Sequence, residues 1–420
     1  MAAPEIRLRT TSPELIALPW QMPLAQWSMP EVPLRDVAVG PSRHLVKFVA
    51  ADGRLWALKS LDPRLAVREY EALRRMEEMS LPAVRPAGLV LQDGDDAILV
   101  TEFLTASWQY RRLFMRLPPG QSIHRARLFD AMAGLLVELH RHGVFWGDCS
   151  LANTLFTRDG QVLQAWLVDA ETSEVHDHLS DGQRSLDLEI LTENVALGMI
   201  DLAVRLDRPP EMHSKLIAEA RGIADRYTAL WDLLHAAPTF EFTDRYRVES
   251  TVRKLNELGF AVDEVSLRPV SPDDLQLSVR VGDRRFHAQH LKDLTGLDVG
   301  EGQAMVLLGD LRAYRRHLCQ QSERDVDEQE AATVWIADVL RPGMQQAHDA
   351  VHGAGSPIQA YCDLLEVRWL LSENASHDVG SQAALAALRI QGAPRDAAAA
   401  MGVAEKQTSQ FPALDEGEFT

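Results

Sequence analysis

The stretch from Gly143 to Asp169, GVFWGDCSLANTLFTRDGQVLQAWLVD, constrains this chain more than any other. It sets Asp148 and, five positions later, Asn153 in a polar loop. Two short apolar segments follow about the turn Thr157-Arg158-Asp159-Gly160, and the run Trp166-Leu167-Val168 delivers Asp169. A turn of that composition occurs in many hairpins and decides little by itself. The donor set decides more. Two carboxylates and an amide are hard oxygen ligands, and their spacing suits a site where one carboxylate orients a hydroxyl while the others hold cations that screen phosphates.

Whole-chain properties bound the setting. At 420 residues, 46% apolar and 25% charged, the chain has the composition of a globular protein with two or three domains. A net charge of −18 argues against nonspecific binding of nucleic acid or of an anionic membrane through the whole surface. Cys149, Cys319 and Cys362 are odd in number and lack paired spacing, so they form neither a disulfide framework nor a zinc motif. The N-terminus lacks the basic start and apolar core of a signal segment, and no run of 18 apolar residues occurs. The expectation is a cytoplasmic protein without a membrane span.

Residues 1–32 carry five prolines with Trp20 and Trp27, a composition that suits an ordered but irregular arm lying on a domain. From Pro33 the pattern is that of a meander: Leu34–Val39, Leu45–Ala50, a turn at Ala51-Asp52-Gly53, and Arg54–Leu61. Alternation in RLWALKSL puts Leu55, Ala57 and Lys59 on one face and Trp56 and Leu58 on the other. A lysine on an apolar face needs an anion, unless it snorkels to water from an edge strand. Gly40 can let backbone approach a polyphosphate, with Ser42 adding a hydroxyl donor, although any hairpin also accounts for such a glycine. Asp62-Pro63 then opens a helix whose stripe runs through Leu65, Tyr70 or Glu69, Leu73 and Met76. Two more strands, Leu81–Leu91 and Ala97–Leu104, precede a periodic helix ending at Gly143, where His140, Arg141 and His142 read as helix-end residues.

The order Asp, four residues, Asn, two short strands, Asp resembles the catalytic and metal-binding loops of the protein-kinase-like superfamily. The likeness is closer to its lipopolysaccharide (Kdo and heptose) kinases and RIO-type kinases, which often keep Gly-Asp as Gly147-Asp148 does. The resemblance implies an α+β, bilobal kinase-like fold that uses ATP and Mg. It makes Asp148 the base, generally worth ~10²- to 10⁴-fold, and gives Asn153 and Asp169 the metal. Lys59 becomes the phosphate-contacting lysine, fixed by Glu69 of REYEALRRM, with Glu71 as the fallback and a solvated helix face as the plain alternative for either. Gly40 and Ser42 fall in the phosphate-covering turn, and Glu102, Phe103 and Leu104 in the hinge that meets adenine.

This chain departs from that pattern in three places. One glycine stands where protein kinases carry three; Trp146 stands where many have His; and Asp169-Ala170-Glu171 replaces Asp-Phe-Gly. Glu171 either adds a metal ligand or opposes the phosphates, so a nucleotide-binding pseudokinase and a nucleotidyltransferase on the same scaffold stand as alternatives. The short segment after Asp169 lacks an Ala-Pro-Glu anchor, which favours a glycolipid, small-molecule or RIO-like acceptor over a broad peptide platform. His176 and His178 about Asp177 read as solvated or supporting residues rather than a metal trio. Asp187 is either a buried brace for the catalytic loop or a first-turn acid of an apolar helix, and a following helix carries Ile217, Ala224, Tyr227, Leu230, Trp231 and Leu234 on one stripe.

The expected layout is an arm at 1–32, a small lobe at 33–104, a large lobe at 105–237, an accessory α+β domain at 238–372 and a flexible, Ala/Gly-rich tail at 373–420. YRVESTVRKLNELGFAVDEV and HLKDLTGLDVGEGQAMVLLGDL resemble a bacterial domain of unknown function often fused behind such kinases, which leaves a protein partner open but names no chemistry. His287 and His290, three apart with no acidic third ligand near in sequence, read as core or surface residues rather than a zinc site.

Overall fold

In the N-terminal sheet the alternation of RLWALKSL is resolved by burial: Trp56 and Leu58 are fully enclosed, while Leu55, Ala57 and Lys59 are half-buried. The computed structural model describes residues 4–37, 43–92, 96–110, 113–114, 123–241, 246–271, 274–390, 393–394 and 397–399. The chain divides into two compact units, one built from residues up to 157 and 164–227, the other from 158–163 and 228–405.

The first unit opens with a six-stranded antiparallel sheet of β1 (Glu5–Leu8), β2 (Leu34–Arg35), β3 (Val46–Ala51), β4 (Arg54–Leu61), β5 (Pro86–Leu91) and β6 (Ala97–Glu102), in the order β1-β5-β6-β4-β3-β2. The N-terminal arm is ordered, as its tryptophans suggest, but it contributes an edge strand that the sequence pattern does not show. Ile6 of β1 pairs with Val90 of β5. Behind the sheet, Leu15 of the short helix α1 (Pro13–Ile16) and Trp20, Leu24 and Trp27 of the arm pack with Trp56, Leu58, Val90 and Val100. The indole N–H groups of Trp20 and Trp27 donate to Leu15 O and Met22 O, so both rings are buried without an orphaned donor.

Helix α2 (Pro63–Glu78) starts with Pro63 in its first turn and Asp62 as cap, accepting from Arg64 N at 2.9 Å. Its buried stripe is Ala66, Glu69, Ala72, Leu73 and Met76, with Leu65 and Tyr70 only half-buried and Glu71 exposed. The expected Glu69, Leu73 and Met76 thus lie on the packing face, with Ala66 and Ala72 joining them and Leu65 at its edge. After β7 (Ser107–Gln109), helix α3 (Ile123–Arg141) is buried along most of its length. Strand β8 (Val144–Phe145), the hairpin β9 (Thr154–Asp159) and β10 (Val162–Leu167), strand β11 (Glu174–Val175), and helices α4 (Asp181–Arg205) and α5 (His213–His235) follow.

Helix α4 begins a few residues earlier than expected, through a capping box between Ser180 and Gln183. It is not apolar-buried all round. Only Asp187, Leu191, Val195, Met199 and Ala203 are enclosed, while Leu186, Leu197 and Val204 are exposed. Helix α5 buries Leu216, Ala220, Ile223, Tyr227 and Leu234, a stripe shifted from the expected Ile217 and Ala224 register.

The second unit holds a three-stranded antiparallel sheet of β12 (Thr239–Glu241), β13 (Val262–Pro269) and β14 (Asp274–Val281), in the order β12-β14-β13. Its helices are α6 (Tyr246–Glu257), α7 (Phe286–Thr295), α8 (Glu301–Ser322), α9 (Glu328–Trp335), α10 (Arg341–Ala350), α11 (Pro357–Ala375) and α12 (Gly380–Arg389). Between α9 and α10 the backbone forms a π-helical turn over Ile336–Leu340, just before Pro342, whose missing N–H breaks the ordinary register. The core gathers Leu291, Leu307, Leu311, Trp335 and Val367 with Leu385 and Leu388 of α12. Residues 380–389 are thus an integrated helix where composition suggested tail.

Residues Arg158–Leu163 complete this second unit. The Asp159 carboxylate accepts from Gly302 N at 2.8 Å and Gln303 N at 2.9 Å, capping α8. Gln359 holds Gly160 from both sides, donating to its carbonyl and accepting from its N–H, each at 2.9 Å, and Arg158 pairs with Asp363. Gly160 has φ +62° and a Cβ there would meet Gly302 O at 2.6 Å, so no other residue fits. Among the described residues no helix is long and apolar enough to cross a membrane.

Candidate active site

Strand β4 pairs with β6 so that Lys59 lies opposite Leu99, and with β3 so that it lies opposite Val46, placing its side chain at the sheet centre. From α2, Glu69 sends its carboxylate to Lys59 Nζ at 3.0 and 3.3 Å. From the segment after β10, Asp169 Oδ2 reaches the same nitrogen at 2.9 Å. Asp169 is delivered there because Leu167 is pinned on both sides, its N–H donating to Pro82 O and its carbonyl accepting from Val84 N, each at 2.9 Å. Val168 N donates to Asn153 O at 3.1 Å, which brings the two expected metal-binding segments into direct register.

The electrostatics follow from burial. Desolvation pulls the Lys59 ammonium down, but Glu69 and Asp169 together outweigh it and hold the group above its ordinary value. Burial pushes the Glu69 carboxyl up to about 7 against the opposing pull of Lys59, with Asp169 adding to the rise. Asp169 is spread between two contacts, Oδ2 on Lys59 and Oδ1 accepting from Glu171 N at 3.1 Å. Ala170 N donates to Glu69 Oε1 at 3.3 Å, tying the metal-loop backbone to α2.

The loop that carries Asp148 and Asn153 is held from behind. Asp187, fully enclosed, accepts from Trp146 N at 2.7 Å and Gly147 N at 2.8 Å. Of the two readings of this residue the brace is the one observed. Gly147 has φ +80°, a conformation that turns its N–H onto the carboxylate and disfavours a side chain. His140 Nε2 lies 3.1 Å from the same carboxylate and His140 Nδ1 lies 2.7 Å from Tyr227 Oη, so His140, in the last turn of its helix as expected, is also a buried member of the brace. Burial lowers its basicity against the opposing pull of Asp187. Within the loop, Asn153 Nδ2 donates to Asp148 Oδ2 and to Asp148 O, each at 3.2 Å, and Asn194 Nδ2 donates to Cys149 O at 2.8 Å. Burial pushes the Cys149 thiol well up, which leaves it inert.

The expected site residues therefore fall into two groups, Lys59–Glu69–Asp169 and Asp148–Asn153, joined by the Val168–Asn153 backbone bond. Glu71 faces solvent and takes no part. Gly40 and Ser42 lie outside the described residues. At the hinge, Phe103 N donates to Leu55 O at 3.1 Å and Leu104 O accepts from Ser107 Oγ at 2.7 Å, so both groups are engaged within the fold.

His44, which no sequence pattern marks, adds a contact from the β2–β3 connection: its Nε2 lies 2.8 Å from Glu171 Oε2. The other histidines behave as expected of non-ligands. His176 pairs with Glu174, while His287 and His290 each meet a carboxylate of their own, Glu301 and Glu328. Among the described residues no group of three or more His, Cys, Asp or Glu is arranged to hold a metal ion.

Comparison with known proteins bears on this arrangement. Residues 53–205 match the lipopolysaccharide kinase (Kdo/WaaP) family, and residues 229–389 match a domain of unknown function, DUF4032. Among solved structures, the chain is similar to WaaP, determined in complex with acyl carrier protein, at 20% identity over 46% of this chain and 90% of that one, with a TM-score of 0.31. No curated protein matches. The chain thus couples a kinase-like phosphotransferase segment, containing Lys59, Glu69, Asp148, Asn153 and Asp169, to the C-terminal domain of unknown function.

Proposed function

We propose that this protein is an ATP-dependent kinase that phosphorylates a hydroxyl acceptor of the glycolipid, small-molecule or protein class. The observation that carries this reading is the convergence of Lys59 of β4, Glu69 of α2 and, 110 positions further on from the lysine, Asp169, with the lysine nitrogen 2.9–3.3 Å from both carboxylates. An ammonium at the centre of a sheet, held in place by a buried glutamate, is suited to receive phosphate oxygens.

The donors available for a cation are oxygen atoms of Asp169 and Asn153. These fit a hard ion such as Mg, which is usually held by one or two carboxylates together with substrate phosphates. Bound there, the ion would screen phosphate charge. The remaining roles belong to the chain. Lys59 binds phosphate oxygens and Glu69 fixes its rotamer. Asp148, oriented by the Asn153 amide, accepts the proton of the acceptor hydroxyl. Asp187 holds the backbone on which Asp148 stands. Since the Phe103 N–H is spent on Leu55 O, adenine falls to the Glu102 carbonyl and the Leu104 N–H.

The test is calorimetric titration with ATP and Mg, followed by transfer from labelled ATP to a panel of sugars, glycolipid fragments and proteins. Binding with transfer that Asp148→Asn abolishes supports a kinase. Binding without transfer to any acceptor supports a pseudokinase, a reading favoured by Glu171, whose Oε2 lies 3.7 Å from Lys59. Transfer of the nucleotidyl rather than the terminal phosphoryl label points to nucleotidylation.

A further inference from the structure

Glu171 is the residue that departs most from the kinase pattern, and its surroundings give it a task. Its Oε2 is shared between His44 Nε2 at 2.8 Å and Lys59 Nζ at 3.7 Å. His44 belongs to the connection between β2 and β3, where Ser60 N donates to Leu45 O at 2.9 Å and so fixes the end of that connection beside Lys59. Glu171 follows Asp169 in the metal loop, with its N–H on Asp169 Oδ1. Neither side chain is sealed in, since His44 and Glu171 keep 22% and 26% of their surface exposed.

Charge says what this contact must control. Glu69, Asp169 and Glu171 are three carboxylates facing one ammonium, so carboxylate charge exceeds ammonium charge here even with Glu69 pushed up by its burial. A bare triphosphate entering such a place meets like charge at contact distance in a partly desolvated setting, where Coulomb repulsion is several times stronger than in water. A triphosphate carrying a divalent cation meets the opposite: the surplus carboxylates are attractive.

We propose that His44 and Glu171 form a latch that makes this cleft selective for the metal complex of the nucleotide over the free nucleotide. The proposal rests on the kinase reading given above. With the cleft empty, His44 holds Glu171 beside Lys59. Glu171 would leave His44 for a cation carried by the nucleotide, so the latch would open only to a ligand that brings its own positive charge. Glu171 is then a positioning residue for nucleotide entry, and His44 is its counterweight.

The experiment measures affinity for ATP with saturating Mg and for ATP with chelator, in the full chain, for wild type, His44→Ala, Glu171→Gln and the double variant. Wild type prefers the Mg complex. Glu171→Gln narrows that preference by about tenfold or more, chiefly by tightening the metal-free nucleotide. His44→Ala tightens the Mg complex by several-fold, and that gain shrinks in the Glu171→Gln background, a coupling that two independent structural defects would not produce. Rescue of the wild-type preference by Glu171→Asp adds support. Strictly additive effects, or an unchanged preference in Glu171→Gln, overturn the latch while leaving the kinase reading intact. A wild-type chain that binds neither form of ATP overturns both.

Discussion

Replacing Asp187 by Ala tests the account of the catalytic loop most directly. The carboxylate is completely enclosed and accepts two short backbone hydrogen bonds, from Trp146 at 2.7 Å and Gly147 at 2.8 Å, besides facing His140 at 3.1 Å. Alanine leaves two buried N–H donors without an acceptor, at roughly 1–3 kcal/mol each, or about 2–6 kcal/mol together. Against a typical total of ~5–15 kcal/mol this is a large share, and for a unit of this size it corresponds to a fall in melting temperature on the order of 10 °C. Asp187→Asn separates hydrogen bonding from packing, since it keeps the volume but turns an amide donor toward one of the two N–H groups. Both variants should melt well below wild type in a calorimetric scan, and the Trp146 and Gly147 amides should lose protection from hydrogen exchange. Two variants melting within about 2 °C of wild type, with both amides still protected, would refute the brace.

Three further outcomes are expected. Lys59→Met removes the ammonium proposed to contact phosphate and strands Glu69, 1% exposed, so nucleotide binding by titration should be lost while the Glu69 carboxyl takes up its proton and limits the damage to the fold. Asp159→Ala uncaps α8 at Gly302 and Gln303 and should destabilise the second unit by about 2–4 kcal/mol in chemical denaturation, whereas Asp159→Asn should recover part of the loss. Burial lowers the pKa of His140 in the folded state, so the unfolded chain binds more protons at acid pH. Its contribution to stability is therefore complete above the ordinary histidine range near ~6.5 and declines as pH falls through it, which a melting series from pH 8 to 5 should show and His140→Gln should flatten.

Much of the site was legible in the chain before any coordinates. Asp148, Asn153 and Asp169 are close in sequence, and the loop-and-hairpin chemistry between them is local, so pattern alone identifies them as a group. Strand alternation places Lys59 on an apolar face and the helix leaves a glutamate facing inward, but it is the resemblance to lipopolysaccharide and RIO-type kinases that names Lys59 and Glu69 and keeps Glu71 as the fallback. Burial separated them: Glu69 is enclosed and Glu71 is exposed. Of the expected α2 stripe, Glu69, Leu73 and Met76 are enclosed, while Ala66 and Ala72, which count little in a hydrophobic pattern, fill the rest of the face.

Local chemistry determined the turns, the caps, the element types and the donor set, because each depends on residues within a few positions of one another. Tertiary structure alone decided which distant groups meet. The pairing of β1 with β5, the bond between His44 and Glu171 across 127 positions, the turn of His140 onto Asp187, and the seating of Asp159 on the N-terminus of α8 leave no local trace. These contacts are fixed by the burial of whole faces against one another, and a polar group carried along with such a face must find its partner wherever the packing leaves it.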